Sequence, residues 1–501
     1  MRDLVTFYRD RLHLFSEEDN WCRALKNCYL EEPVDEVLIQ SLLDECRDLA
    51  IDSPHDYLHY LRKLVSLAFL NRFQPMPTLI SSLQKFFQKI YTQGFWKDFQ
   101  LGEALYALGC YLVGLPTPAL EPKQLAKGGI LVEAGNHLPD GGVPHPLLNA
   151  ELALVWLFIG WELENDILIH AALKWVHVSM GLFDHENRPF HGIWLRESEY
   201  HPLSFCTLYF LLFSVSSEML ISSKVRHLAD SRFDALKEVD DPVFQSPPIF
   251  FLFFARGFES LHREKKCPEV SGSYALNEVD ESLGYLSTRQ NDISLACSFS
   301  GVNTGLGALH KTHVRIVSFG PHFTPLADSD RYGVHRTSSG ISDPFRDLEF
   351  EKKPDSFEAK GWARIISPYV SHVCHQNITV TQPGDQWLYF SASGDGDKVF
   401  FESRLSEHDE KHPLYFACFI TADRADIEGG EVLTPATLNR YQGVSKPVTF
   451  EKGEEKLRIS PQMETEMHVI PLAGSHHFWA ADFLIAFPFE KHQKAYSWEI
   501  L

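Results

Sequence analysis

The sequence has no Cys-x-x-Cys pair, no Gly-x-x-x-x-Gly-Lys-[Ser/Thr] loop, no His-Glu-x-x-His and no Gly-x-Ser-x-Gly. Zinc ribbons, phosphate-loop enzymes, zincin proteases and α/β-hydrolases are therefore without support. The nine cysteines, at positions 22, 28, 46, 110, 206, 267, 297, 374 and 418, are scattered and odd in number. That pattern suits free, buried thiols in a reducing compartment rather than a disulfide framework. Positive charge is also short, with 46 Lys+Arg against 67 Asp+Glu and a net charge of -21. This excludes nucleic acid or an anionic membrane as a partner held by bulk electrostatics, and an anionic ligand needs a local basic patch. Asp3, Arg9 and Asp10 interrupt the N-terminal segment before any apolar h-region. Cytoplasmic residence is the default expectation, with signal-independent secretion left open. The most apolar stretches, 203–215 continuing to Ile221 and 247–254, are interrupted by polar residues or too short for a bilayer. Both read as core helices, and no membrane partner is expected.

What the chain has is size and greasiness: 501 residues, 44% hydrophobic and 13% aromatic. That is enough for large cores and too long for one ordinary domain. The pattern changes near residue 267. Before it, helix-period segments dominate, as at 53–73, where Ser53 caps, Pro54 takes the first helical position, and Leu58, Leu61, Val65 and Ala68 line one face. Comparable helices are expected at 78–91, 98–115, 149–163, 166–180, 202–222, 224–239 and 249–263, with one or two more before residue 50. The run Leu152 to Ile159 has no polar face. Such helices are covered on all sides, and a mixture of buried and amphipathic helices suits an inner and an outer ring. An α/α-toroid, complete or incomplete, is therefore expected over 1–266.

A polar stretch at 267–287 reads as a linker, and an antiparallel β-sandwich is expected over 288–501. Ser393-Gly394-Asp395-Gly396-Asp397 lies between strand-like runs at 387–391 and 398–405, and Gly453 centres a second hairpin between 447–451 and 456–460. Further strands are expected at 292–299, 307–319, 414–422, 466–472 and 482–487. Helices followed by strands mean an α+β chain of two packed bodies, and clefts between such bodies are common ligand sites.

Three segments gather chemistry-bearing side chains. Gly135-Asn136-His137-Leu138-Pro139-Asp140-Gly141-Gly142 places Asn, His and Asp in a glycine-rich connection between helices. Its simpler reading is a turn whose Asn and Asp bond their own backbone. The segment 190–202 offers Trp194, Arg196, Glu197, Glu199, Tyr200 and His201. Sugar sites use such mixtures, because aromatic faces pack on pyranose rings while planar polar groups take the hydroxyls. A purely structural reading has Tyr200 and His201 anchor the next helix. The third is the run 307–316, in which Lys311, His313 and Arg315 would share one face of an unbroken strand, with His310 on the other. That gives a cationic stripe inside an acidic protein, or else simply a solvated strand face. No metal and no cofactor is expected: His372-Val373-Cys374-His375 has no second cluster at metal spacing, and Asp395-Gly396-Asp397 lacks the later Glu of a calcium loop.

The layout and these residues resemble polysaccharide lyases of the heparinase II/III and alginate lyase kind. Asn136-His137 is similar to the Asn-His ending one toroid loop in that family. Glu197-Ser198-Glu199-Tyr200-His201 is similar to its Glu-x-Ser-x-x-Tyr-His segment, shortened by one residue. The resemblance implies β-elimination on a uronate-containing polysaccharide, an acidic glycan being the implied partner. Asn136 would neutralise the carboxylate, Tyr200 would act as base or acid, and His313 would assist from the sandwich side. His137, Trp194, Arg196, His201, Lys311 and Arg315 would contact the sugar. Abstraction of a proton beside a carboxylate needs the developing enolate charge to be stabilised. The family has His-x-His followed by Asp on the sandwich side, and this chain departs from that pattern. The alternatives are an inactive glycan-binding or protein-interaction protein on the same architecture, and a glycoside hydrolase using carboxylates such as Asp140, Glu197 or Glu199. On the lyase reading, toroid loops near residues 136 and 200 should face the strand near residue 313, whereas carboxylate pairs facing one pocket with no cationic stripe nearby would favour the hydrolase.

Overall fold

Short polar side chains start several helices of the N-terminal half. Asp19 accepts from the backbone N–H groups of Trp21 and Cys22 at 2.7 and 3.1 Å, and Asp35 accepts from Leu38 at 2.6 Å. Asn165 and Ser222 cap two later helices in the same way. The structure is a computed structural model, and it describes residues 2–49, 51, 54–93, 100–122, 146–190, 202–270, 279–280, 285–290, 292–299, 306–322, 345–353, 356–373, 376–395, 398–406, 414–472, 481–490 and 495–501. The proposed cap Ser53 lies outside those residues.

The helices are α1 (Arg2–Arg9), α2 (Asn20–Leu30), α3 (Glu36–Asp48), α4 (Pro54–Phe73), α5 (Pro77–Gln93), α6 (Gln100–Leu112), α7 (Pro146–Leu163), α8 (Asp166–Ser179), α9 (Pro202–Met219), α10 (Ser223–Lys237) and α11 (Ile249–Glu264). Each expected helix from residue 53 onward is present, with ends that shift by a few residues. α4 packs on α6 and α11, α6 on α7, α7 on α9, and α9 on α11, which closes a ring. α5, α8 and α10 each pack against members of that ring, as do α1, α2 and α3. The helical unit is thus α/α-toroid-like. α9 is long and apolar enough to cross a membrane by composition, yet 78% of it is buried within the structure.

The ring is held by rings of carbon and by buried ion pairs. Phe69 of α4, Phe158 of α7 and Phe254 of α11 meet with centroids 5.0 to 5.7 Å apart, largely edge to face. Gly257 permits this approach, since a Cβ there would lie 2.7 Å from Phe69 Cε1 and 3.1 Å from Phe158 Cε2. Two carboxylates of α7 are buried, and each meets an arginine of α4. Arg62 holds Glu151 through two bonds of 2.7 and 2.6 Å. Arg72 binds Glu162, which also accepts from Tyr111 at 3.0 Å. Arg62–Glu151, Phe69–Phe158 and Arg72–Glu162 climb both helices in step, so α4 and α7 run parallel, as members of an inner ring do.

The second unit comprises the described residues 181–190 together with those from 279 onward. Its strands are β1 (Val279–Asp280), β2 (Tyr285–Gln290), β3 (Ile293–Ser298), β4 (Gly307–Lys311), β5 (Val314–His322), β6 (Arg346–Lys352), β7 (Ser356–Val373), β8 (Gln376–Asp395), β9 (Lys398–Leu405), β10 (Leu414–Thr421), β11 (Arg424–Ile427), β12 (Glu431–Leu433), β13 (Tyr441–Val444), β14 (Val448–Lys452), β15 (Glu455–Pro461), β16 (Glu466–Pro471), β17 (Phe483–Phe489) and β18 (Ala495–Ile500). They form two antiparallel sheets, ordered β1-β2-β3-β4-β5-β10-β17-β16-β13 and β12-β11-β14-β15-β18-β9-β8-β7-β6. The inner faces interdigitate as a sandwich: Phe319 packs on Phe401 at 4.5 Å and Phe416 stacks on Trp498 at 4.4 Å.

Particular boundaries differ from expectation. β1 and the start of β2 fall inside the stretch read as a linker, and 181–190, in the helical half of the sequence, packs with the sheets. The strand expected over 307–319 is two strands. β4 and β5 form a hairpin around Thr312 and His313, with Lys311 opposite Val314 and His310 opposite Arg315. Thr312 supplies the left-handed turn at φ 46°. The apolar run continues through a tight turn that carries neither Gly nor Asn, which is why the sequence reads as unbroken.

Removing one partner of a buried ion pair leaves the other charge uncompensated, whereas replacing both with apolar groups does not. Arg62→Met is therefore expected to cost about 3–5 kcal/mol in denaturant unfolding, with the double variant Arg62→Met/Glu151→Leu recovering most of that loss. Equal stability of the single and double variants would contradict this account of the pair.

Candidate functional site

The chain leaves α8 through a 3-10 turn at Met180–Leu182 and then makes a small hairpin closed by a bridge between Phe183 and Pro189. Asp184 donates its N–H to the carbonyl of Arg188 at 2.8 Å, and Asn187 takes φ 60°. Asparagine tolerates that left-handed position, and the Asp184 side chain completes the turn by accepting from Glu186 N at 2.9 Å and Arg188 N at 2.8 Å. Local chemistry thus folds the segment Asp184-His185-Glu186-Asn187-Arg188 and turns one carboxylate oxygen, Oδ2, outward from the turn.

That oxygen meets the sheet. Oδ2 accepts from Arg188 Nε at 2.8 Å and lies 3.0 Å from His310 Nδ1, with both Asp184 and His310 buried. His310 is on β4, on the face turned away from the sandwich core, opposite Arg315. The turn is fixed on that face by further bonds. His185 donates its backbone N–H to Ser294 Oγ at 2.9 Å, and its ring Nδ1 shares a second hydrogen bond with the same hydroxyl at 2.8 Å. Arg289 of β2 donates to the carbonyl of Phe183 at 2.6 Å, and Arg188 donates to the carbonyl of Thr312 in the β4–β5 turn. Phe190 completes the setting with its ring 4.7 Å from the imidazole of His310.

The charge states follow from burial and partners. Burial pushes the Asp184 carboxyl up, but the hydrogen bond from His310, the neighbouring His310 and Arg188 charges and the Arg188 backbone N–H outweigh it and hold it well below the ordinary range. Burial lowers His310 to about 4, against the raising effect of Asp184, while Arg315 and Arg188 add to the lowering. Near neutrality the centre is a carboxylate paired with a neutral imidazole. The Nδ1–H must then donate to Asp184, so the basic lone pair of the ring is on Nε2. A carboxylate that fixes the tautomer and orientation of an imidazole is the arrangement used to hold a histidine for proton transfer.

Of the residues expected from sequence, Asn136, His137, Trp194, Arg196, Tyr200 and His201 lie outside the described residues, as do Asp140, Glu197 and Glu199. His313 is exposed at the turn. Lys311 and Arg315 stand on opposite faces of the hairpin, and Lys311 pairs with Asp292 at 3.8 Å. The cationic stripe of Lys311, His313 and Arg315 is therefore not formed, because the turn at Thr312 reverses the chain between them. Its place is taken by Arg188, Arg289 and Arg315 around the Asp184–His310 pair. Sequence reasoning passed over Asp184 and Arg188, although the Asp-x-x-Asn turn between Phe183 and Pro189 was a usable signal. His372 is the penultimate residue of β7; Cys374, His375, Gly396, Asp397 and the His476-His477 pair are outside the described residues.

No protein-family model matches the sequence, and no curated protein matches it. Solved structures do match in fold. A xanthan lyase from Paenibacillus aligns over 99% of this chain and 53% of its own length, at 8% identity and a TM-score of 0.50. This chain thus spans about half the length of that enzyme. A variant of chondroitin AC lyase from Streptomyces coelicolor A3 aligns over 96% of this chain and 74% of its own, at 10% identity and a TM-score of 0.45. Heparan sulfate lyase HepC from Pedobacter heparinus aligns over 100% and 87% at 10% identity, with a TM-score of 0.28. The likeness to the xanthan lyase is one of fold: a helical toroid-like half followed by a β-sandwich, a polysaccharide-lyase-like architecture.

The buried pair makes stability depend on pH with a definite sign. His310 is held at about 4 against an ordinary 6.5, so the unfolded chain binds more protons between those values. Its contribution is complete above 6.5 and is lost as pH falls towards 4. Asp184, depressed below its ordinary 3.8, adds a second loss only at more acidic pH. The urea midpoint should decline from pH 7 to pH 4 in the parent chain, and the decline should be shallower in His310→Gln. Identical pH profiles for the two would show that the imidazole is not buried neutral.

Proposed function

We infer that the protein acts on carbohydrate, as a polysaccharide lyase that cleaves uronate-containing glycans by β-elimination. The observation that carries this reading is the architecture shared with a xanthan lyase over nearly the whole of this chain. Fold by itself hosts many activities, so the chemistry has to come from a site. The Asp184–His310 pair supplies a histidine on the sandwich side, in place of His313, with its tautomer set by a carboxylate and with guanidinium groups nearby. In this proposal His310 Nε2 exchanges a proton with the sugar, and Arg188 and Arg315 favour the approach of an anionic glycan. Tyr200, ten residues beyond Phe190 in the sequence, serves as base or acid, and Asn136 neutralises the uronate carboxylate so that the C5 proton can leave. Electrons from the broken C5–H bond form the new C4–C5 double bond as the C4–O bond breaks, and the leaving oxygen takes a proton from the acid. Trp194, Arg196, His137 and His201 are proposed sugar contacts.

A second reading, glycan binding without turnover, is favoured by the burial of His310, which is 1% exposed. A buried imidazole with one nitrogen bonded to Asp184 can serve to lock the turn rather than to move protons.

The two readings separate in one experiment. The protein is incubated with xanthan, alginate, chondroitin, heparan and polygalacturonate, and ultraviolet absorbance of the unsaturated product is followed beside calorimetric binding. The lyase reading expects absorbance growth that falls roughly 10²- to 10⁴-fold in His310→Gln and in Tyr200→Phe, with both variants still folded. Saturable binding with no absorbance on any glycan would establish the second reading instead, and neither signal would refute both.

A further inference from the structure

We propose that a pocket in the helical unit, lined by Arg72, Arg256, Arg263, Glu31, Glu259 and Ser260, binds a small molecule bearing a phosphate or sulfate ester. The pocket has a volume of about 370 Å³, the size class of small-ligand sites. It lies where the last turn of α4 and the last three turns of α11 meet the C-terminal end of α2. It concentrates guanidinium groups in a chain whose net charge is -21.

Two of the three arginines are each held firmly at one end and loosely at the other. Arg72 binds the buried Glu162 closely through Nη1, while its Nη2 lies 3.5 Å from Glu264. Arg256 binds Glu259 at 2.6 Å through Nη1, while its Nη2 lies 3.5 Å from Glu31. The firm partners are 3% and 11% exposed, and the loose ones 56% and 69% exposed. Buried carboxylates therefore orient the guanidinium planes, and solvent-exposed carboxylates occupy the Nη2 positions weakly. Arg263, 60% exposed and bonded to Glu259 at 2.7 Å, adds a third cation at the rim.

Arg256 is also under-satisfied: its side chain is 10% exposed, and its buried Nε–H has no hydrogen-bond partner among the described residues. A buried donor left unpaired is unfavourable, and an incoming oxyanion is the natural acceptor for a guanidinium edge. A tetrahedral oxyanion accepting from Nη2 of both Arg72 and Arg256 would displace the arms of Glu31 and Glu264 into water, where both already largely are. Ser260, bonded to Glu264 at 2.8 Å, would be released with it to serve as a further donor. The proposal is independent of the Asp184–His310 centre and of any lyase activity.

The test uses the whole chain and inorganic phosphate or sulfate as probes, titrated in thermal unfolding and calorimetry against chloride at matched ionic strength. Saturable stabilisation by phosphate or sulfate beyond chloride is expected. Glu31→Gln, which removes a competing, exposed carboxylate, should tighten binding about three- to tenfold, and Arg263→Gln should weaken it by a similar factor. Both side chains are exposed, and Glu259 keeps Arg256 as its partner when Arg263 is replaced, so both ligand-free variants should remain folded. Tighter binding of phosphate than sulfate assigns a phosphate ester, and the reverse a sulfate ester. No saturable effect beyond chloride, or affinities unchanged in both variants, would overturn the proposal.

Discussion

One carboxylate organises the described centre of the β unit. Asp184 accepts four hydrogen bonds, from Glu186 N, Arg188 N, Arg188 Nε and His310 Nδ1. The first three close and brace a five-residue turn, and the fourth binds that turn to β4. A carboxylate is costly to bury unless its lone pairs are satisfied, and here each oxygen has two donors. Arg188 extends the constraint, since its guanidinium reaches Glu186 at 2.7 Å and the Thr312 carbonyl. The segment from the helical half, the β4 strand and the β4–β5 turn are therefore fixed by one connected set of polar contacts.

The helical unit uses the same physics for a different purpose. Arg62–Glu151 and Arg72–Glu162 pin α4 to α7 at two levels, each with a buried carboxylate. Between them lies the Phe69, Phe158 and Phe254 cluster, non-directional in its attraction. Apolar packing draws the ring together; the two ion pairs, about ten residues apart along each helix, admit one axial register. A helix as uniformly greasy as α9 shows the need, because its own pattern of side chains specifies no unique face.

Much of this was legible in the sequence. Long apolar periodicity and polar caps marked the helices from α4 to α11, since those signals are local. The hairpins β8–β9 and β14–β15 were visible for the same reason, with Gly453 at φ 61° in the second. The β4–β5 hairpin was hidden because its turn uses Thr312 in a left-handed conformation that glycine or asparagine usually marks. The site was less legible still. His310 was noticed and set aside in favour of His313, because alternation along one supposed strand faced it away from Lys311 and Arg315. Asp184 is 126 residues from His310, and no local pattern couples positions so far apart. The turn that presents Asp184 is local, but its purpose is not.

The distance in sequence between the turn and its sheet has a consequence during synthesis. His185 waits 109 residues for Ser294, and Asp184 waits 126 for His310. At typical elongation rates that interval is roughly 6 to 25 seconds. Over that time α9, α10 and α11 emerge and can close the helical ring. The turn, with the Phe190 ring that will later cover His310, stays hydrated on the nascent chain. A ribosome that stalls between α11 and β3 would therefore hold a helical unit with its ring complete and the Asp184–Arg188 turn and the Phe190 ring still without their sheet. Docking of this turn waits on β3 and β4, and the strands that complete both sheets, β5 to β18, follow them out of the exit tunnel.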